Sequence, residues 1–129
     1  MSVTGLNHYN LRASLQILDA LRDFYVSIVG LRVGYRPPFN SFGYWLYAGD
    51  HAVLHLSEAG PDERRLLNVT GTFDHVAFSC THVEEFESRL RGFDVGYTSD
   101  LVPHTGQQQL FFHDPAGNGV ELNFAGHTA

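Results

Sequence analysis

Eight histidines stand beside one cysteine, Cys80, in a chain of 129 residues. Histidine ligates metals and moves protons near neutral pH, so their arrangement is where chemistry is sought first. His8 and His75 lie 67 residues apart, and the same interval separates Ser14 from Thr81. Leu54-His55-Leu56 is answered, 66 residues on, by Val120-Glu121-Leu122. Glutamate is depleted from β-strands, so Glu121 between two apolar residues asks for a reason. Two imidazoles and a carboxylate at repeat-equivalent strand positions, His8, His75 and Glu121, make a facial ligand set with open positions. That set suits Fe(II), and also Zn²⁺, Mn²⁺ or Ni²⁺.

The elements that must position these groups repeat in the order β-α-β-β-β. Leu6–Leu11 alternates as a strand. Ser14 is placed to cap a helix whose apolar residues Ile17, Leu18, Leu21, Phe24, Tyr25 and Ile28 recur at helical spacing up to Gly30. Strands are expected at Leu31–Arg36, Gly43–Ala48 and His51–Leu56, with Gly49-Asp50 as the tight turn between the last two. The stretch from Ser57 to Gly71 reads as a connector. The order then restarts with a strand over Phe73–Cys80 and a helix through Leu90 opened by a Thr81–Glu84 capping box. Strands at Phe93–Thr98, Gln108–Phe112 and Val120–Phe124 complete it, the last two joined by the Asp114–Gly119 turn. The fold class is α+β: two β-α-β-β-β modules forming a curved mixed sheet around a metal pocket. One domain spans residues 1–129, with module one at about 3–57, a connector at about 58–71 and module two at about 72–125. Short strands on both sides leave sheet edges, which predicts a homodimer.

Composition narrows the partners. Apolar residues make up 43% and net charge is -6, the profile of a globular domain. All 8 basic residues are arginine and they are scattered, which argues against nucleic acid. The absence of a basic-then-apolar leader, of any apolar run near 20 residues and of paired cysteines predicts a cytoplasmic protein without a membrane span. A small-molecule substrate is expected. Tyr9, Tyr44, Trp45, Tyr47, Phe73 and Phe111 are available to line its pocket or to pack the sheets. His82, His113 and His127 are read as incidental.

The chain resembles the vicinal oxygen chelate superfamily, which includes glyoxalases, bleomycin-resistance proteins and extradiol dioxygenases. The carrying residues are Gly5-Leu6-Asn7-His8, Phe24-Tyr25 before Val29-Gly30-Leu31, Phe73-Asp74-His75-Val76-Ala77-Phe78, and His113-Asp114-Pro115-Ala116-Gly117-Asn118-Gly119-Val120-Glu121-Leu122. The resemblance implies a metal held at the positions of His8, His75 and Glu121. An extradiol ring-cleavage dioxygenase is the leading expectation, because His104, Leu110, Asp114-Pro115-Ala116-Gly117 and Glu121 follow that family's signature; Phe111 stands where the family has Tyr. It implies Fe(II), His104 bonded to a substrate oxygen, and His51 or His55 as the acid/base. A glyoxalase I-type lyase is the runner-up, with His55 at the position of a fourth ligand. An antibiotic-resistance protein, drug-binding or thiol-transferring, ranks third: Thr4–His8 and Tyr44-Trp45-Leu46 resemble the fosfomycin-modifying transferases, but no lysine is present to hold a phosphonate.

Overall fold

The computed structural model describes residues 1–126; His127 lies outside them. The chain divides into two compact units, one of residues 1–65 and one from residue 66 onward. The division falls inside the expected connector for a visible reason. Arg12 donates to both carboxylate oxygens of Glu63 at 2.8 and 2.9 Å, holding the connector's first part to unit one. The Asn68 amide donates to the Ala116 carbonyl at 2.8 Å, holding its second part to unit two.

Unit one contains β1 (Tyr9–Ala13), α1 (Leu15–Phe24), a π-helical turn (Tyr25–Val29), β2 (Arg32–Gly34), β3 (Gly43–Ala48) and β4 (His51–Glu58). Its four-stranded mixed sheet runs β1-β4-β3-β2, with β1 parallel to β4. Alternation sorts the two faces. Leu46, Leu54 and Leu56 are fully buried, as are Leu18, Leu21 and Tyr25 from the helical segment. Trp45 and His55, opposite each other in the β3–β4 ladder, take the other face. The helix expected to run to Gly30 widens into its π turn after Phe24 and stops where predicted. Gly30 adopts φ 95°, a left-handed backbone that costs glycine least, and the Gly30 and Leu31 amides both donate to the Tyr25 carbonyl.

Unit two contains β5 (His75–Cys80), α2 (Val83–Gly92), β6 (Thr98–Leu101), β7 (Gln108–His113) and β8 (Gly119–Phe124). Its sheet runs β5-β8-β7-β6, the same order as unit one, with β5 parallel to β8. Leu110, Phe112, Val120, Leu122 and Phe124 form the buried side with Leu90. Phe86 of α2 meets Phe124 edge-on, ring centroids 5.8 Å apart. The internal repeat is thus real, and it produces one mixed sheet per module.

Several boundaries move. The first strand starts at Tyr9 and not Leu6, because Asn7 is held by the His51 side chain and not by a strand partner. The second is three residues long; the Tyr47 hydroxyl donates to the Tyr35 carbonyl at 2.5 Å beyond its end. The Thr81–Glu84 capping box does not form. His82 is the residue before α2, in a left-handed conformation of φ 66°, and no side chain caps the helix; Thr81 Oγ1 lies 3.0 Å from His82 Nδ1 instead. Glu84 and Glu85 still favour the start of α2 through its dipole. The strand expected at Phe93–Thr98 lies at Thr98–Leu101. The amides of Phe93, Asp94 and Val95 are spent on the carbonyls of Arg89, Arg91 and Leu90, closing the helix end around Asp94 at φ 57°. Among the described residues no helix is long and apolar enough to cross a membrane.

Candidate metal centre

The β-ladders place the residues of interest at matching points of each sheet. His55 pairs with Asn10 of β1 and with Trp45 of β3. Glu121 pairs with Ala77 of β5 and with Phe111 of β7. Counting back along the first strands, His8 lies two residues before Asn10 and His75 two residues before Ala77. Each module therefore carries one residue pair on the sheet face opposite its helix: His8 with His55, and His75 with Glu121.

In unit two, His75 Nε2 lies 3.1 Å from Glu121 Oε1. His75 Nδ1 lies 2.8 Å from Asp74 Oδ2, and an ionised carboxylate can only accept, so Nδ1 carries the proton. The Nε2 lone pair then faces a carboxylate oxygen. Two acceptors meet only when a second proton or a cation stands between them. Two donors bound about 2.1 Å from one cation at right angles are about 3.0 Å apart, so the observed separation fits a shared metal. Glu121 is 5% exposed. Its other oxygen accepts from Gln109 at 3.3 Å and Asn123 at 3.0 Å, which fixes the carboxylate and leaves Oε1 toward His75. Phe111 packs its ring edge-on to His75 with centroids 5.6 Å apart.

Unit one repeats the device. Asn7 Oδ1 lies 2.8 Å from His8 Nδ1 and can only accept, so Nδ1 carries the proton and Nε2 of His8 is again the unprotonated nitrogen. Asn7 is itself held: His51 Nε2 bonds its carbonyl at 2.5 Å. That bond ties the His51 ring to the segment that carries His8. His55 is stacked between Trp45, centroids 3.9 Å apart at 10°, and His8, 3.8 Å apart at 15°. Lone pairs of imidazole lie in the ring plane. Two near-parallel planes this far apart do not share one cation, so His8 and His55 would not both ligate the same ion. Burial, with the charges of His8 and Arg36 nearby, holds the His55 pKa below the usual histidine value.

Among the described residues no group of three or more His, Cys, Asp or Glu side chains is close enough together to hold a metal. The structure brings His75 to Glu121 and His8 to His55. His104 stands exposed in the turn between β6 and β7, at φ 70°. The residues that sequence reasoning missed are Asn7 and Asp74 as anchors of the histidine Nδ1 atoms, with Gln109 and Asn123 behind Glu121. A signal for the first two was there to read: an Asx-His dipeptide recurs at the repeat interval. Asn7→Ala or Asp74→Ala is expected to weaken divalent-metal binding about 10-fold by releasing a ring. Calorimetric titration with Ni²⁺ checks this, with circular dichroism confirming the fold.

The model of the Glyoxalase/Bleomycin resistance protein/Dioxygenase superfamily matches residues 5–122, a span that includes both donor pairs. The chain belongs to this superfamily. Members of the superfamily typically bind a divalent metal. A relative described as "Glyoxylase I 4" from Arabidopsis thaliana is 31% identical over 128 residues, covering 95% of this chain and 71% of the relative. Two solved structures share the superfamily fold. The glyoxylase/bleomycin resistance protein/dioxygenase domain from Frankia superposes with a TM-score of 0.74 at 19% identity, covering 96% of this chain and 99% of that one. Lactoylglutathione lyase from Agrobacterium tumefaciens does so at 0.67 and 22% identity, covering 96% of each chain.

Proposed function

We propose that this superfamily member is a divalent-metal-dependent lyase or isomerase of the glyoxalase I type, acting on a small molecule with two adjacent oxygens. The observation that carries the reading is the duplicated Asx-His anchor, which in both modules leaves Nε2 as the donor and in unit two sets it 3.1 Å from a buried carboxylate. His8, His75 and Glu121 hold the metal in this reading. A divalent metal held by them would supply Lewis-acid stabilisation of negative charge on a substrate oxygen. His55, kept neutral between Trp45 and His8, takes a proton from the carbon beside that oxygen and returns it to the neighbouring carbon. His51 and Asn7 keep His8 in register, and Gln109 and Asn123 keep Glu121 turned. The protein works as a homodimer in this account. Two observations favour proton transfer over ring cleavage. Phe111, opposite Glu121, offers no hydroxyl to a substrate oxygen. The Asp114–Gly117 motif behind the dioxygenase resemblance is occupied in building a turn: Asp114 Oδ1 accepts from the Ala116 and Asn118 amides, each at 2.9 Å.

Extradiol ring cleavage with Fe(II) is the second reading. It is favoured by the stack, which limits the set to three protein ligands and leaves His55 as an acid/base. One experiment separates the two. Protein loaded with Ni²⁺ or Zn²⁺ is given a 2-oxoaldehyde with a thiol, and protein loaded anaerobically with Fe(II) is given catechols and then O₂. Thioester formation is expected, and His55→Gln is expected to lower its kcat by about 10²–10³ through loss of the proton carrier. A yellow ring-opened product without thioester formation establishes the second reading instead.

A further inference from the structure

Unit two carries a row of polar side chains beside its His75–Glu121 pair. Paired residues of neighbouring strands present their side chains to the same face of a sheet. The register lines up Ser79, Asn123, Gln109 and Asp100 across β5, β8, β7 and β6, on the face that holds His75 and Glu121. Polar residues on an open sheet face need no explanation by themselves. What sets this row apart is the direction of its two amides.

Gln109 Nε2 and Asn123 Nδ2 donate to one and the same oxygen, Glu121 Oε2, at 3.3 and 3.0 Å. A carboxylate only accepts, so each amide turns its NH₂ group to Glu121 and its carbonyl oxygen away from it. Glu121 thus sets the orientation of both oxygens before any ligand arrives. Among the described residues neither Gln109 Oε1 nor Asn123 Oδ1 accepts a hydrogen bond, and both reach solvent. Ser79, exposed beside Asn123, adds a hydroxyl that can give a hydrogen bond as well as take one. Asp100 stands at the outer end of the row, two strands from Asn123.

We propose that the Ser79–Asn123–Gln109 row is a subsite for a neutral hydroxyl group carried on the substrate, with Asn123 and Ser79 as specificity-determining residues. The proposal deepens the glyoxalase-type reading and rests on it, because it takes the His75–Glu121 end of the face as the place of the two adjacent oxygens. Asn123 follows Glu121 by two residues, about 7 Å along the strand, so the hydroxyl belongs about three carbons beyond those oxygens. An alcohol satisfies the row in both directions. Its proton goes to Asn123 Oδ1 or Gln109 Oε1, and its lone pair takes the Ser79 proton. An ammonium has no lone pair for Ser79, and Asp100, whose charge would draw it, lies at the sheet edge. A methyl group in the same place covers oriented acceptors and returns nothing, which is how a polar site rejects an apolar analogue.

Three hydroxamates present the same two adjacent oxygens and differ only at the chain end. γ-Hydroxybutyrohydroxamate ends in a hydroxyl, valerohydroxamate in a methyl and γ-aminobutyrohydroxamate in an ammonium. Each is titrated calorimetrically into the Ni²⁺-loaded protein. The hydroxyl probe is expected to bind at least about 10-fold tighter than the methyl probe, and tighter than the ammonium probe. Ser79→Ala is expected to lower the hydroxyl-over-methyl ratio about 3-fold, and Asn123→Leu to abolish or reverse the preference. Each ratio is taken on one protein, so a change in metal affinity cancels from it. S79A should keep the parent's Ni²⁺ affinity and circular dichroism. Equal binding of the hydroxyl and methyl probes overturns the proposal and leaves the metal reading standing. A ratio unchanged in both variants overturns it too and places the hydroxyl elsewhere. Tightest binding of the ammonium probe overturns the hydroxyl assignment in favour of Asp100. Failure of the parent to take up Ni²⁺, seen before any probe is added, overturns the glyoxalase-type reading and this proposal with it.

Discussion

Glu121→Ala is expected to weaken binding of Ni²⁺ or Zn²⁺ by more than about 100-fold, beyond the 10–100-fold that loss of an outer partner costs. Among the described residues Glu121 is the one buried acid within ion-pair distance of a histidine nitrogen, and its second oxygen is already fixed by Gln109 and Asn123. Removing it takes away the proposed anionic ligand and leaves those two amides without their acceptor. Glu121→Gln separates the two effects. It keeps the shape and one carbonyl oxygen while losing the charge, so the fold is expected to be retained and metal affinity to remain far below that of the parent. His75→Ala should match Glu121→Ala in calorimetry. Metal affinity within 3-fold of the parent in both variants would remove this pair from the site.

Asp114→Ala is expected to destabilise the protein by about 3 kcal/mol, lowering Tm by about 10–15 °C, with the loss visible in thermal unfolding. Asp114 is 5% exposed. One of its oxygens takes the Ala116 and Asn118 amides, and the Asn118 side chain bridges to the other at 3.0 Å. Alanine leaves these donors facing little solvent. The turn also has no slack beside it: a Cβ on Gly117, which sits at φ 91°, would press on Asn68. Asp114→Asn keeps the oxygen that accepts both amides, and about 1 kcal/mol is expected. The contrast also assigns the motif. If Asp114 serves the turn, metal affinity measured well below Tm stays near that of the parent; a reaction signature would lose it.

The repeat was legible because burial enforces it. Both sheets need apolar residues at alternate positions on one face, so Leu54-His55-Leu56 and Val120-Glu121-Leu122 advertised the two polar residues facing the other way. That reasoning located His8, His55, His75 and Glu121 at equivalent points, and the ladders agree. Ends of elements were harder to read, because they depend on single backbone hydrogen bonds. Asp94 and His82 adopt left-handed conformations that no residue type announces strongly, and each moved a boundary. The choice between His51 and His55 was closed to sequence as well. Both share strand parity, and only the bond from His51 to the Asn7 carbonyl separates an anchoring histidine from one stacked in the site. The dioxygenase resemblance rests on His104, Leu110, Asp114–Gly117 and Glu121, and within it Asp114–Gly117 is also the sequence pattern of a tight turn.

We propose above that His8, His75 and Glu121 are ligands of a divalent metal. Elemental analysis of the protein purified without chelator, set beside the three single alanine variants, tests it most directly. Close to one transition metal per chain is expected in the parent, restored after dialysis against chelator by adding Ni²⁺ or Zn²⁺, with a loss to near background in each variant. A parent that neither carries nor takes up a divalent metal, or three variants that retain the parent's full complement, would contradict it.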